Sequence, residues 1–158
     1  MIRHFDKYTD DLREVIYKGM LLGKSNIAMR QDLEWATGHS KLACERVIRT
    51  ETTHFANAGE MLAYKESGIE KYVFVATLDN RTSPMCQMMD GKVFSVKDTK
   101  VGINTPPLHP YCRSTTIAYF GDEILNNMKR RAKNDSKSDS YVLDKNITYK
   151  EWKKEYVD

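Results

Sequence analysis

Gly68-Ile69-Glu70-Lys71-Tyr72-Val73-Phe74-Val75-Ala76-Thr77 is the stretch in which the hydrophobic pattern of this chain changes period. Upstream, apolar residues recur every three or four positions, as on one face of a helix. From Lys71 onward β-branched and aromatic residues follow one another directly, as in a largely buried strand, and Asp79-Asn80 closes the run with turn chemistry. A helical half followed by a strand half predicts a segregated α+β architecture.

Reading upstream, Tyr8, Leu12, Val15, Ile16, Gly19 and Leu22 share one face of a helix that ends near Gly23. Ser25 caps a second helix through Met29, Leu33 and Ala36, stopped at Gly38. Ser40 caps a third and longer one, about Lys41 to Ser67 with Gly68 as its stop. Its expected stripe is Cys44, Val47, Ile48, Phe55, Ala58 and Leu62. Glu51 falls in the centre of that stripe, where a carboxylate is costly to bury without a partner, so Arg81 and Arg113 are its expected partners. The alternative places Glu51 at the stripe's edge, in water. His54 lies beside the stripe and reads as a hydrogen-bonded packing residue.

Reading downstream, Lys92 to Val96 after the Asp90-Gly91 turn and Ser114 to Tyr119 are further short strands. The expected fold is α+β: N-terminal helices, one of them long, packed on a small, mostly antiparallel sheet, with a short C-terminal helix. Residues 1–122 form the expected main domain, helical over 5–67, with sheet and motif loops over 70–120. The remainder, 123–158, reads as a short helix through Ile124, Leu125 and Met128, then the basic run Lys129 to Lys133. The polar run Asn134 to Ser140 reads as a linker, and Thr148 starts a last helix that docks Tyr149, Trp152 and Tyr156 on the body.

The chain has 158 residues, enough to bury a core without disulfides, and its 41% hydrophobic and 30% charged residues are those of an ordinary globular protein. No stretch has the apolar length of a bilayer span, and Met1 to Asp6 lack the apolar core of a signal peptide, so synthesis in a reducing, intracellular compartment is expected. Three widely spaced cysteines, Cys44, Cys86 and Cys112, argue against a disulfide framework. A net charge of +3 gives a mild bias toward polyanions. The absence of a glycine-rich phosphate loop and of HExxH removes the common nucleotide-binding and zinc-protease readings. The lack of H-x-E and P-C-x-x-C segments removes the zinc-deaminase reading.

The chemistry-bearing residues concentrate in two loop-like stretches, Asp79-Asn80-Arg81-Thr82 running on to Cys86, and Pro106-Pro107-Leu108-His109-Pro110-Tyr111-Cys112-Arg113. Three readings use them. Cys86, His109 and Cys112 are zinc-type ligands, His109 and Cys112 being two residues apart, with Cys44, His54, Asp79 and Asp90 as equally open choices for a fourth. A thiol enzyme would use Cys86 as nucleophile, His109 as base and Asp79 to orient the imidazole, with Arg81 or Arg113 lowering the thiol. A structural clasp would have Asp79 and Asn80 bond their own turn, Arg81 fork onto Glu51 or Asp90, and the three prolines stiffen the approach to His109; it needs no cofactor. Separately, Lys129, Arg130, Arg131 and Lys133 are candidates for phosphate-backbone contact, or a solvated charged face.

Arg49-Thr50-Glu51 in a long helix, Gly68-Ile69 before an apolar strand, Asp79-x-Arg81-Thr82-x-x-x-Cys86, Asp90-Gly91, and Pro107-x-His109-Pro110-x-Cys112-Arg113 together resemble the C-terminal domain of the Mu F-like minor head proteins of tailed bacteriophages, the phage head morphogenesis family. The likeness covers about residues 10 to 120, and Thr148-Tyr149-x-Glu151-Trp152 is similar to a segment that follows the domain in many members. The resemblance implies a non-enzymatic, low-copy capsid protein located in the virion head and made in the bacterial host cytoplasm. It implies partners in the portal and other head proteins, a role in head assembly, DNA packaging or ejection, and in some members DNA binding without sequence preference, with no membrane involved. It also selects the clasp reading, with Arg49, Glu51, Asp79, Arg81, Thr82, Asp90, His109 and Arg113 holding the domain together. Ser114 stands where many members have a second cysteine, and members are commonly longer at the N-terminus.

Overall fold

The computed structural model describes residues 2–133 and 140–157, with side chains from Tyr8 onward. Three helices come first: α1 (Ile2–Leu21), α2 (Asn26–Thr37) and α3 (Lys41–Glu66). Ser25 and Ser40 cap α2 and α3 by accepting from the N–H groups of Ala28 and Ala43, satisfying donors that a helix start leaves open. Ile16, Met29, Leu33, Cys44 and Ile48 close the core between these helices.

The chain then enters β1 (Lys71–Val75), the central strand of an antiparallel sheet of order β2-β1-β3, where β2 is Val93–Ser95 and β3 is Thr115–Ala118. The fold is thus α+β. Alternate residues of one strand line share a face, and here Tyr72, Phe74, Ala76 and Leu78 are each buried, in three successive clusters. Tyr72 packs with Met61, Tyr64 and Val96, tying the end of α3 to the sheet. Phe74 and Ala76 pack with Cys86 and Cys112. Gly91 makes the tight return from Asp90 into β2 at φ +78°, and its N–H donates to the Phe74 carbonyl.

Three features differ from the sequence reading. The long helix does not bury its expected stripe: Phe55, Ala58 and Leu62 are exposed, and Asn57, Met61 and Tyr64 are buried instead. The first half of α3 faces helices and the second half faces the sheet, so the buried line shifts around the axis and one continuous stripe is not required. A six-residue helix, α4 (Pro84–Met89), was not expected; Ser83 caps it and Pro84 opens it, a start signal obscured by the loop-like composition around it. The basic run is not a connector, because β4 (Arg130–Lys133) pairs antiparallel with β5 (Ser140–Leu143). Of the expected linker, residues 134–139 lie outside the described residues.

Between β3 and that hairpin lies α5 (Asp122–Asn127), and the chain ends in α6 (Tyr149–Tyr156), started by a capping box of Thr148 and Glu151. Leu78, Ala132, Leu143, Ile147, Tyr149 and Trp152 form one core, so hairpin and last helix pack directly on the end of the β1 segment. The polar centre of this junction is Asp90. Its carboxylate accepts from the N–H groups of Ala76 (2.7 Å) and Tyr149 (2.6 Å) and from both terminal nitrogens of Arg130, whose guanidinium also donates to the carbonyls of Ala76 and Ile147 (2.6 Å each).

Arg130 is therefore corrected from the DNA-contact candidates. In β4 it alternates with its neighbours, so it points inward and is 8% exposed while Arg131 faces solvent. Arg130→Met should lower unfolding stability by about 3–5 kcal/mol, because it strands a buried carboxylate. Arg131→Met should change it by less than about 0.5 kcal/mol. Urea melts of the two variants check both.

Candidate functional site

Asp79 ends the β1 segment fully buried, with Arg113 forked across both its oxygens (Nη2 to Oδ1 2.8 Å). The Asp79 carboxylate also accepts from the Arg81 N–H (3.0 Å) and the Thr82 hydroxyl (3.1 Å), and the Arg81 guanidinium stands 3.7 Å away. Its backbone carbonyl accepts from the Tyr149 hydroxyl at 2.9 Å. Burial by itself would raise the Asp79 carboxyl's pKa. The Arg113 fork, the Thr82 hydroxyl and the Arg81 N–H outweigh that and hold it below its ordinary value.

The clasp residues thus divide. Asp79, Arg81, Thr82 and Arg113 meet in one cluster, and Asp90 belongs to the separate junction with Arg130. Glu51 stands apart, half-buried and without a hydrogen bond or ion pair among the described residues, because Asp79 occupies Arg113 and α3 approaches the loops through neutral groups. The Thr53 hydroxyl donates to the Cys112 carbonyl (3.0 Å), and the Tyr111 N–H donates to the Thr50 hydroxyl (3.2 Å). Arg49 pairs with Glu45 and lies 5.8 Å over the Tyr111 ring, also away from the Asp79 cluster. Tyr111 has φ +61°, a left-handed conformation that costs a side-chain-bearing residue roughly 1–2 kcal/mol. Its two anchors on α3, the Thr50 contact and its own hydroxyl on the Leu42 carbonyl (3.3 Å), hold it there. This turn was not singled out in sequence, since nothing in a Pro-Tyr-Cys run marks positive φ.

His109 belongs to neither carboxylate. Its Nδ1 lies 2.7 Å from the Pro110 carbonyl, which accepts only, so Nδ1 carries the proton and Nε2 presents its lone pair. Facing Nε2 are the Ser83 hydroxyl at 2.8 Å and the Cys86 sulfur at 3.3 Å. The Cys112 sulfur is 3.7 Å from that of Cys86, beyond disulfide length, and both thiols are buried. A hydrogen bond links the two sulfurs, with either thiol able to donate, and this contact holds the Cys112 thiol below and the Cys86 thiol above the usual thiol range.

The Cys86, His109 and Asp79 arrangement of a thiol enzyme is therefore not assembled: Asp79 is committed to Arg113, and the imidazole is oriented by a backbone carbonyl. Of the candidate fourth ligands, Cys44 is in the helical core, His54 rests edge-on to Phe55, and Asp79 and Asp90 are held by arginines. Cys86, His109 and Cys112 are the group of metal-type ligand atoms that converges among the described residues, all within 4.8 Å of one another.

Lys129, Arg131 and Lys133, together with Arg81 and Arg113, line a groove of about 560 Å³ that residues of both sheets border. Lys129 is also paired with Asp144 at 3.2 Å.

A fold of three leading helices and a three-stranded sheet, with a carboxylate–arginine cluster and a thiol–imidazole cluster at the sheet's loops, defines an α+β domain whose polar residues mostly bond one another. The family model described as Phage Mu protein F like protein matches residues 10–117, more than half of the chain and the whole of both motif loops. The chain belongs to that family, and so in class to the phage head-morphogenesis proteins. No curated protein and no solved structure matches it.

A pH dependence follows from Asp79. Its stabilisation is complete above the ordinary carboxyl value of 3.8 and is lost as pH falls through the lower native value, where the unfolded chain binds a proton that the native state refuses. Urea melts from neutral pH to pH about 3 should show a steeper acid decline for the wild type than for Asp79→Asn.

Proposed function

We propose that this chain is a minor structural component of a tailed-phage capsid, acting near the portal in head morphogenesis and in DNA packaging or ejection. The family match over residues 10–117 carries the reading. The helical arm supports it with an apolar groove of about 540 Å³ lined by Arg13, Ile16, Tyr17, Met20, Leu21 and Phe55, in which Tyr17 and Leu21 are each 68% exposed. Exposed apolar surface of this kind suits a protein partner, and the partner proposed is the portal. The virion head is then its location, other head proteins are its further neighbours, and among the described residues no helix is long and apolar enough to cross a membrane. The Asp79, Arg81, Thr82 and Arg113 cluster serves in this reading to fix the shape of the domain.

Co-expression with the portal protein of the same phage tests the assignment. The expected result is a complex that survives size-exclusion chromatography and is weakened by Tyr17→Lys with Leu21→Glu. Separate elution of the two wild-type proteins would overturn the portal assignment.

A second role, sequence-independent DNA contact, is favoured by the groove that places Arg81, Lys129, Arg131 and Lys133 around one space. Retention on duplex DNA should fall steeply with salt, and the Lys129→Gln, Arg131→Gln, Lys133→Gln variant should lower the slope of log affinity against log salt by about 0.9 per phosphate contact removed. No retention at low salt would remove this role.

A further inference from the structure

We propose that Cys86, His109 and Cys112 form a structural zinc site that pins α4 to the 109–112 loop, with one water completing the coordination. The donors are two thiols and one imidazole, the atom types zinc selects, and all three lie within 4.8 Å of one another. Two sulfurs bound to one tetrahedral zinc at about 2.3 Å stand about 3.8 Å apart, and sulfur and imidazole nitrogen stand about 3.6 Å apart. Here the Cys86–Cys112 sulfur distance is 3.7 Å and the Cys86 sulfur to His109 Nε2 distance is 3.3 Å, so two of the three edges already lie close to those of the tetrahedron the ion needs, and the third pair, Cys112 with His109, lies within 4.8 Å.

The imidazole is set for the same task. Nδ1–H is held on the Pro110 carbonyl, which fixes the tautomer and aims the Nε2 lone pair at the sulfurs, as outer-shell partners of metal-bound histidines do. The Ser83 hydroxyl, now on Nε2, remains as a cap of α4 through the Cys86 N–H when the ion takes that lone pair. Two thiolates neutralise a divalent ion, so the loaded site carries no net charge into this buried place.

The adjoining cavity is about 20 Å³, bounded by Ser83, Cys86, His109 and Ser114 among others. That is room for a single water. Three protein ligands with an open position are usual in catalytic zinc sites, but a cavity this small admits no substrate beyond water, which makes the role structural. The site ties together the two stretches that the turn at Asp79 and the turn at Tyr111 bring face to face. It does so whichever head protein the chain meets.

The test uses the full chain, purified under reductant from zinc-supplemented growth, with metal content measured by mass spectrometry. Wild type and Cys44→Ala should each carry one zinc per chain, and His109→Gln should lose it; His109 is only half-buried, so this variant is the one best placed to fold. Wild-type zinc no higher than that of His109→Gln would overturn the proposal. A second measurement needs no variant: alkylation of native wild type with zinc or with chelator, mapped by peptide mass. Zinc should protect Cys86 and Cys112 and leave Cys44 unchanged, and equal labelling of Cys86 and Cys112 in the two conditions would overturn the site.

Discussion

The buried pair of Asp90 and Arg130 is the interaction on which the arrangement of the other elements depends. Asp90 follows α4, and Arg130 begins β4, so their bond joins parts of the chain 40 residues apart. The same carboxylate also receives the first N–H of α6 and the N–H of Ala76, just past β1. One buried anion thereby satisfies backbone donors from two separate segments and a cation from a third. Such a group is costly to desolvate and tolerable only when every lone pair is used, and the consequence is geometric specificity more than net stability. Hairpin and last helix pack where they do because that carboxylate has one acceptable set of neighbours.

Asp79 repeats the device eleven residues earlier with a different division of labour. Its fork with Arg113 joins the end of the β1 segment to the approach to β3, and Tyr149 of α6 reaches its backbone carbonyl. The two acidic groups therefore sit on either side of α4, one at each turn that delimits it. With both ends fixed, Ser83 and Cys86 on α4 have little freedom relative to His109 and Cys112. The thiol–imidazole cluster is a product of this framing, since its own contacts are too few and too weak to impose it.

Much of this was legible in sequence, and the limits have physical causes. The three helices, their serine caps and glycine stops, and the central strand follow from local rules that tertiary packing did not override. In sequence Asp79, Arg81, Thr82 and Arg113 read as parts of one clasp but with other partners, Arg81 for Glu51 or Asp90 and Arg113 for Glu51, because the fork of Arg113 on Asp79 joins residues 34 apart and leaves no local trace. Glu51 was misplaced because a helix stripe was extended through a region where α3 changes partners; periodicity registers burial and says nothing of what lies opposite. Pairing Asp90 with Arg130 was out of reach, since a salt bridge across 40 residues leaves no local trace. The positive φ at Tyr111 is equally silent, because a glycine would announce that conformation and a tyrosine does not.

The basic run shows how the same letters acquire opposite roles. Arg130-Arg131-Ala132-Lys133 reads as a uniform charged patch only while its conformation is ignored. Once β4 pairs with β5, the two-residue period of a strand sends Arg130 and Ala132 inward and leaves Arg131 to solvent. Burial of Ala132 beside Leu78 and Trp152 is what makes the hairpin adhere, and Arg130 is carried into the interior with it. An arginine delivered there must meet a carboxylate, and Asp90 is the one within reach. The surface charge that remains is smaller than composition suggests, and any polyanion contact at this edge is borne by side chains whose neighbours were recruited to hold the fold.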